Sequence, residues 1–188
     1  MLFNSVEFAL FLPAVFLLYW FVFNRNVRLQ NLFIVAASYL FYGWWDWRFL
    51  LLIAFTSVCS YAAGLLIETR PRHAAWINGA NILLNLGILC TFKYYDFFVS
   101  SFAGMFHLQA DNLLLKIILP VGISFYTFQA LSYSIDVCRR KIAATRDIVA
   151  FAAYISFFPQ LVAGPIERAT NLLPQFLRPR RFVSAAAT

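Results

Sequence analysis

Five stretches of this chain, residues 4–23, 29–45, 48–67, 76–95 and 117–137, each run for about twenty residues with few charges. A helix crosses roughly 30 Å of hydrocarbon in about 20 residues, and a segment inside lipid must satisfy its own backbone N–H and C=O groups. Runs of that kind predict an all-α, multi-span integral membrane bundle. The composition agrees: 62% of the 188 residues are hydrophobic and 12% are charged, whereas a soluble domain is about half apolar and a quarter charged.

The first run lacks a basic leading region and is too long for a cleavable signal peptide. Asn4 suits a helix cap, with Glu7 three residues on. The stretch 97–115 mixes phenylalanines with Ser100, Ser101, His107, Gln109 and Asp111, which predicts an interfacial helix. A sixth apolar run, 148–164, is short and is interrupted by Pro159, Gly164 and Pro165.

Fifteen basic against eight acidic residues leave a net charge of +7. In a membrane protein such an excess sets topology and meets anionic headgroups, and no nucleic-acid module accompanies it. The loops after the first, third and fifth runs carry Arg25, Arg28, Arg70, Arg72, Arg139, Arg140, Lys141 and Arg146, while the opposite side holds Arg48, Lys93 and Lys116. The asymmetry places those basic loops in the cytoplasm and the N-terminus outside. A sixth full span would carry Arg168, Arg178, Arg180 and Arg181 to the wrong side. A re-entrant segment over 148–168 resolves this, because broken backbone at membrane depth is tolerated where protein or a wet cavity shelters it. A full span ending in a loop at Gly164–Pro165 is the other reading.

Polar residues inside the runs fall on stripes. In the fifth, Tyr126, Gln129, Ser132 or Tyr133, and Asp136 recur at spacings of three and four, one helical face that must turn inward. Interhelical hydrogen bonding or a cavity lining both account for it, and Asp136 is expected to pair with Arg139 or Arg140. Asn78, Asn81 and Asn85 form a stripe in the fourth run, and Ser57, Ser60 and Gly64 a small-residue face in the third, both read as packing. "YGWWDWRF" (42–49) sets three tryptophans around Asp46 and Arg48 and reads as an interfacial belt between two helices, a mouth for an acyl chain or polar substrate being the sharper reading. Cys59, Cys90 and Cys138 are scattered and expected to be free, buried thiols. His73 and His107 stand alone, so no metal-ligand spacing exists.

"LFNSVEFALFLP", "SYLFYGWWDWRFLLLI", "FKYYDFF", "LPVGISFYTFQALSYSIDV" and "ISFFPQLVAGPIERATNLLPQF" together resemble the N-terminal portion of the membrane-bound O-acyltransferases, in their bacterial alginate O-acetylation branch. The match runs over most of residues 2–182 and includes "FLRPRRF"; Cys138 departs from the tyrosine expected after "SIDV". The resemblance implies a multi-helix enzyme of the bacterial inner membrane that moves an acetyl group from acetyl-CoA or an acyl carrier to a hydroxyl of alginate or another envelope polymer, working with periplasmic polysaccharide-modifying partners. It implies no bound cofactor, and a catalytic histidine on a later helix facing a central funnel, a side chain suited to taking and returning a hydroxyl proton. Neither His73 nor His107 matches that motif, so the histidine is expected beyond residue 188 and the chain alone is expected to be inactive. Tyr126, Gln129, Gln160, Glu167 and Arg168 are the implied funnel lining. A small transporter or channel module, or a non-catalytic structural fragment, are the competing readings; two inverted repeats of broken helices would favour the transporter, and only one break is visible.

Overall fold

The computed structural model describes residues 5–44, 46–105, 122–165 and 167–180, and these are helical with connecting turns. The nine helices among them are α1 (Val6–Leu17), α2 (Val27–Gly43), α3 (Arg48–Thr69), α4 (Ala74–Lys93), α5 (Tyr95–Met105), α6 (Ile123–Cys138), α7 (Ile148–Ser156), α8 (Phe158–Ala163) and α9 (Ala169–Leu177). Two helical segments, Arg48–Thr69 and Pro71–Lys93, are long and apolar enough to cross a membrane. Val6–Val22, α1 with the π turn that extends it, and Ile148–Leu161 are shorter apolar segments.

Several boundaries differ from the sequence expectation for local reasons. Ser5 caps α1, its Oγ accepting the Phe8 N–H at 3.2 Å, while Asn4 lies outside the described residues. α6 begins only at Ile123, because Gly122 adopts a left-handed conformation (φ 77°) that no helix continues; residues 117–121 are outside the description. α5 covers the first half of the 97–115 stretch, and the rest, with His107, is likewise outside it. The sixth run is two helices, and the break comes at Phe157 (ψ 98°), before Pro159. Proline is tolerated in a first turn but clashes with a preceding one, so α7 stops at Ser156 and Pro159 opens α8. α9 is a helix the sequence reading assigned to no element.

The helix ends sort into two levels. Tyr19 and Phe23 on the α1 side meet Gln30 and Phe33 of α2, so these two helices are antiparallel. Gly64 of α3 faces Tyr133 of α6, and Ile67 lines a cleft with Val137, so α3 and α6 run parallel. Lys93 at the end of α4 donates to Ser124 at the start of α6, 3.2 Å, so α4 runs the other way. The Tyr61 hydroxyl donates to the Arg146 carbonyl (2.9 Å) and the Thr145 N–H donates to the Tyr133 hydroxyl (3.1 Å), which brings the start of α7 to the end of α3 and α6. α8 then reaches the level of Gly122, where the Leu161 carbonyl packs on it. From Gly164 the chain returns: the Ala169 N–H donates to Ser132 Oγ at 3.2 Å, and α9 crosses α7 to Asn31 of α2, whose Nδ2 donates to the Phe176 carbonyl at 2.8 Å.

One end of the bundle therefore gathers Arg25, Arg28, Arg70, Arg72, Arg139, Arg140, Lys141, Arg146, Arg178 and Arg180, and the other holds only Arg48 and Lys93 among the described residues. At that second end Trp44 and Trp47 are exposed, and Arg48 grips Asp46 (Nη2 to Oδ2 2.9 Å), holding the Asp46 carboxyl below its ordinary range by hydrogen bonding. The core between the ends is aromatic: Phe41 and Phe158 lie 5.3 Å apart, Phe11 meets Phe158 at 5.5 Å, and Tyr133 meets Phe151 at 4.6 Å.

Two close approaches fix this packing. A Cβ on Gly64 would sit 2.5 Å from Tyr133 Cε1, so only glycine lets α3 touch α6 there. Beside it, Ser60 Oγ donates to Asn81 Oδ1 (3.2 Å) and Asn85 Nδ2 donates to Asn81 Oδ1 (3.0 Å), so the small-residue face of α3 and the asparagine stripe of α4 form one seam. The cysteines are free, but only Cys59 and Cys138 are half-buried; Cys90 is exposed on the outer face of α4, since its helical position points away from that seam.

Candidate functional site

The inward stripe of α6 meets the break between α7 and α9. Tyr126, Gln129 and Tyr133 are buried at three- and four-residue spacing, and Asp136 continues the stripe. Gln129 Nε2 donates to Gln160 Oε1 at 2.9 Å, and Gln160 Nε2 donates to the Pro165 carbonyl at 2.9 Å. Gln160 thus ties α6 to the turn that reverses the chain. Gly164 permits the reversal: a Cβ there would lie 2.9 Å from Gln160 Cα and 3.1 Å from its carbonyl oxygen. The Tyr154 hydroxyl donates to the Gln129 carbonyl at 3.1 Å and Ser38 Oγ accepts the Phe158 N–H at 3.3 Å, so neighbouring helices cover the broken backbone.

Besides Asp136 Oδ2, three polar atoms on or beside this stripe are buried without a hydrogen-bond partner among the described residues: the Tyr42 and Tyr126 hydroxyls and Gln129 Oε1. The two tyrosines lie within electrostatic reach of one another. Such atoms cost free energy when left dry, so the neighbouring Tyr42 and Tyr126 hydroxyls are candidates to meet a polar group. Tyr42 and Tyr154 were not singled out as site residues from sequence. Tyr42 sits at the edge of the tryptophan-rich segment, which masks it as an interfacial residue, and nothing in the sequence around Tyr154 distinguishes it from core.

Of the five expected lining residues, Tyr126, Gln129 and Gln160 come together. Glu167, half-buried, and Arg168, exposed, lie between Pro165, whose carbonyl Gln160 bonds, and Ala169, whose N–H bonds Ser132; among the described residues no side-chain hydrogen bond ties either to Tyr126, Gln129 or Gln160. Asp136 is not paired with Arg139 or Arg140. Its Oδ2 has no hydrogen-bond partner among the described residues; α6 ends at Cys138, and Arg140, just beyond, has a left-handed backbone (φ 57°). His73 is exposed on the turn before α4, at the basic end and away from Gln160.

A second polar assembly secures the tail. The Arg180 guanidinium reaches Asn31 Oδ1 and lies over the Tyr19 and Phe176 rings, 5.5 and 5.1 Å from their centroids. Burial pushes its pKa below the ordinary value.

Over 94% of its length the chain is 41% identical to a probable alginate O-acetylase of Pseudomonas aeruginosa. In sequence the chain is similar to the bacterial alginate O-acetylases. It is also 40% identical to the probable alginate O-acetylase of Azotobacter vinelandii and 31% identical to a peptidoglycan O-acetyltransferase of Helicobacter pylori, each over 94% of the chain. It spans about a third of the length of these relatives, 34%, 36% and 38% respectively. No family model matches the chain, and no solved structure does. Kinship with the alginate O-acetylases agrees with the resemblance to membrane-bound O-acyltransferases carried by the sequence motifs.

Proposed function

We propose that this chain forms part of a membrane-embedded O-acetyltransferase that carries acetyl from acetyl-CoA or an acyl carrier to hydroxyl groups of a cell-envelope polysaccharide, alginate being the first candidate. The observation that carries the reading is the 41% identity to the P. aeruginosa alginate O-acetylase across 94% of the chain. α1, α2, α3, α4 and α6 are the spans, residues 148–168 are re-entrant, and the N-terminus faces out. Ten basic residues at one end against two at the other support this orientation in the bacterial inner membrane.

In this reading Tyr126, Gln129 and Gln160 are wall, not base. An amide pair and an unpartnered hydroxyl hold a polar group in place but do not take a proton at neutral pH. His73 is exposed on the turn before α4, at the basic end, and the histidine base that the resemblance implies is none of these wall residues. Glu167 and Arg168 sit at the rim. Arg168 is exposed beside Ala169, which bonds Ser132 about 9 Å inside the end of α6 at 1.5 Å per residue. A charged side chain at that depth is held where water or protein meets it, not where lipid does, and a guanidinium there suits the phosphates of a nucleotide or carrier-borne acyl donor. Periplasmic polysaccharide-modifying proteins are the partners on the far side.

The test replaces the corresponding third of the P. aeruginosa relative with residues 1–188 in cells lacking that relative. Acetyl esters on the secreted alginate are expected. A chimera that inserts stably and leaves the polymer unacetylated refutes the assignment. Within an active chimera, Arg168→Ala is expected to raise the KM for the donor several-fold with kcat little changed; unchanged KM removes Arg168 from the rim.

A further inference from the structure

We propose that the cleft between the α3–α4 turn and the α6–α7 loop binds the phosphate of an anionic phospholipid. The cleft has a volume of about 520 Å³ and lies at the basic end of the bundle. Ile67, Val137 and Ile142 make an apolar floor, and Glu68, Arg140 and Lys141 stand at its mouth. Arg140 and Lys141 are exposed, and among the described residues neither forms an ion pair with Glu68 or any other carboxylate.

The backbone here is specific. The Arg140 N–H donates to the Val137 carbonyl and the Lys141 N–H to the Asp136 carbonyl, each at 2.9 Å, which closes α6 with a residue in the left-handed region. Glycine is the residue that conformation favours, and Arg140 is the one non-glycine with positive φ among the described residues. An arginine in a strained position points to a role for its side chain. Position supplies the ligand class. Trp76, in the first turn of α4, is 82% exposed, and Leu66 and Leu83 are exposed on the outer faces of α3 and α4, so the cleft opens where the apolar belt meets the basic end. A free phosphate would use the two cations and leave the apolar floor empty; a phospholipid fills both. The proposal rests on the membrane reading above.

The full chain, released from detergent micelles doped with equal phosphatidylglycerol and phosphatidylcholine, is examined by native mass spectrometry. Wild type is expected to retain phosphatidylglycerol preferentially. Arg140→Gly and Lys141→Gln are each expected to lower that retention about fivefold, the worth of one interfacial charge. Arg140→Gly also relaxes the backbone, so it is expected to melt no lower than wild type, which separates loss of binding from loss of fold. Equal retention by wild type and both variants overturns the site. Complete displacement by millimolar inorganic phosphate overturns the lipid assignment in favour of a soluble anion. A chain that stays in the aqueous phase without detergent instead overturns the membrane reading on which the proposal stands.

Discussion

Gly64→Ala isolates the contact that sets α6 in place. The added Cβ meets Tyr133 at 2.5 Å (Cε1), 2.6 Å (hydroxyl oxygen) and 2.8 Å (Cζ). Tyr133 cannot swing aside freely: it is fully buried, packs on Phe151 at 4.6 Å, and its hydroxyl accepts the Thr145 N–H at 3.1 Å. Forcing a methyl into a filled core costs about 1–3 kcal/mol, and leaving the buried Thr145 N–H unpaired costs about 1–3 kcal/mol more. A total near 3 kcal/mol lowers the melting temperature of a chain this size by about 6–12 °C. Thermal unfolding in detergent, followed by helix circular dichroism, reads the change. Gly79→Ala on α4 is the control, since a Cβ there meets nothing within 4 Å; it is expected to melt at or above wild type, alanine being the better helix former. Adding Tyr133→Ala to Gly64→Ala should cost less than Tyr133→Ala alone, because the two residues are coupled. Gly64→Ala melting within about 2 °C of wild type would refute the close α3–α6 approach.

Gly164→Ala places a Cβ 2.9 Å from Gln160 Cα, and backbone cannot yield as a flexible side chain does. It is expected to destabilise by about 1–3 kcal/mol and, in the chimera, to reduce alginate acetylation together with it. Asp147→Ala removes the bonds its Oδ1 accepts from the Val149 and Ala150 N–H groups, at 2.9 and 3.0 Å; a loss of about 1 kcal/mol, or about 2–4 °C, is expected by the same thermal assay.

The long apolar runs made the helices legible, and the period of polar residues within them told which faces turn inward. Tyr126, Gln129 and Tyr133 are buried as their spacing requires. Asn81 and Ser60 meet as a packing seam because small and amide-bearing faces of adjacent helices satisfy one another. What escaped the sequence depends on contacts between distant residues. The Gln129–Gln160 bond joins residues 31 apart, and the exposure of Arg168 follows the turn of the chain at Gly164, which spacing alone does not encode. Asp136 misled because its neighbours in sequence are arginines, yet it is buried while Arg139 and Arg140 are exposed past the helix end. α9 was invisible because its buried apolar side is only Ala169, Leu173 and Phe176, too few to stand out beside runs about twice as long, and because Pro174 lies inside it.

Tyr126→Phe separates a functional hydroxyl from a structural one. The Tyr126 hydroxyl is buried and has no partner among the described residues, and the Tyr42 hydroxyl shares that condition. Deleting a bonded hydroxyl loses about 1 kcal/mol, but deleting an unbonded buried one removes a desolvation penalty of about 1–3 kcal/mol. Tyr126→Phe is therefore expected to melt at or above wild type. Tyr154→Phe, which breaks the 3.1 Å bond to the Gln129 carbonyl, is expected to melt about 2–4 °C lower. If the cluster lines the path of a polar ligand, the order reverses for activity in the chimera: Tyr126→Phe loses acetyl transfer while gaining or keeping stability, because the hydroxyl was held dry for the ligand and not for the fold. A drop in melting temperature for Tyr126→Phe would mean that its hydroxyl is already engaged in the resting protein. Full stability with full activity would leave the hydroxyl no part in holding the substrate, and the wall would then rest on Gln129 and Gln160 alone.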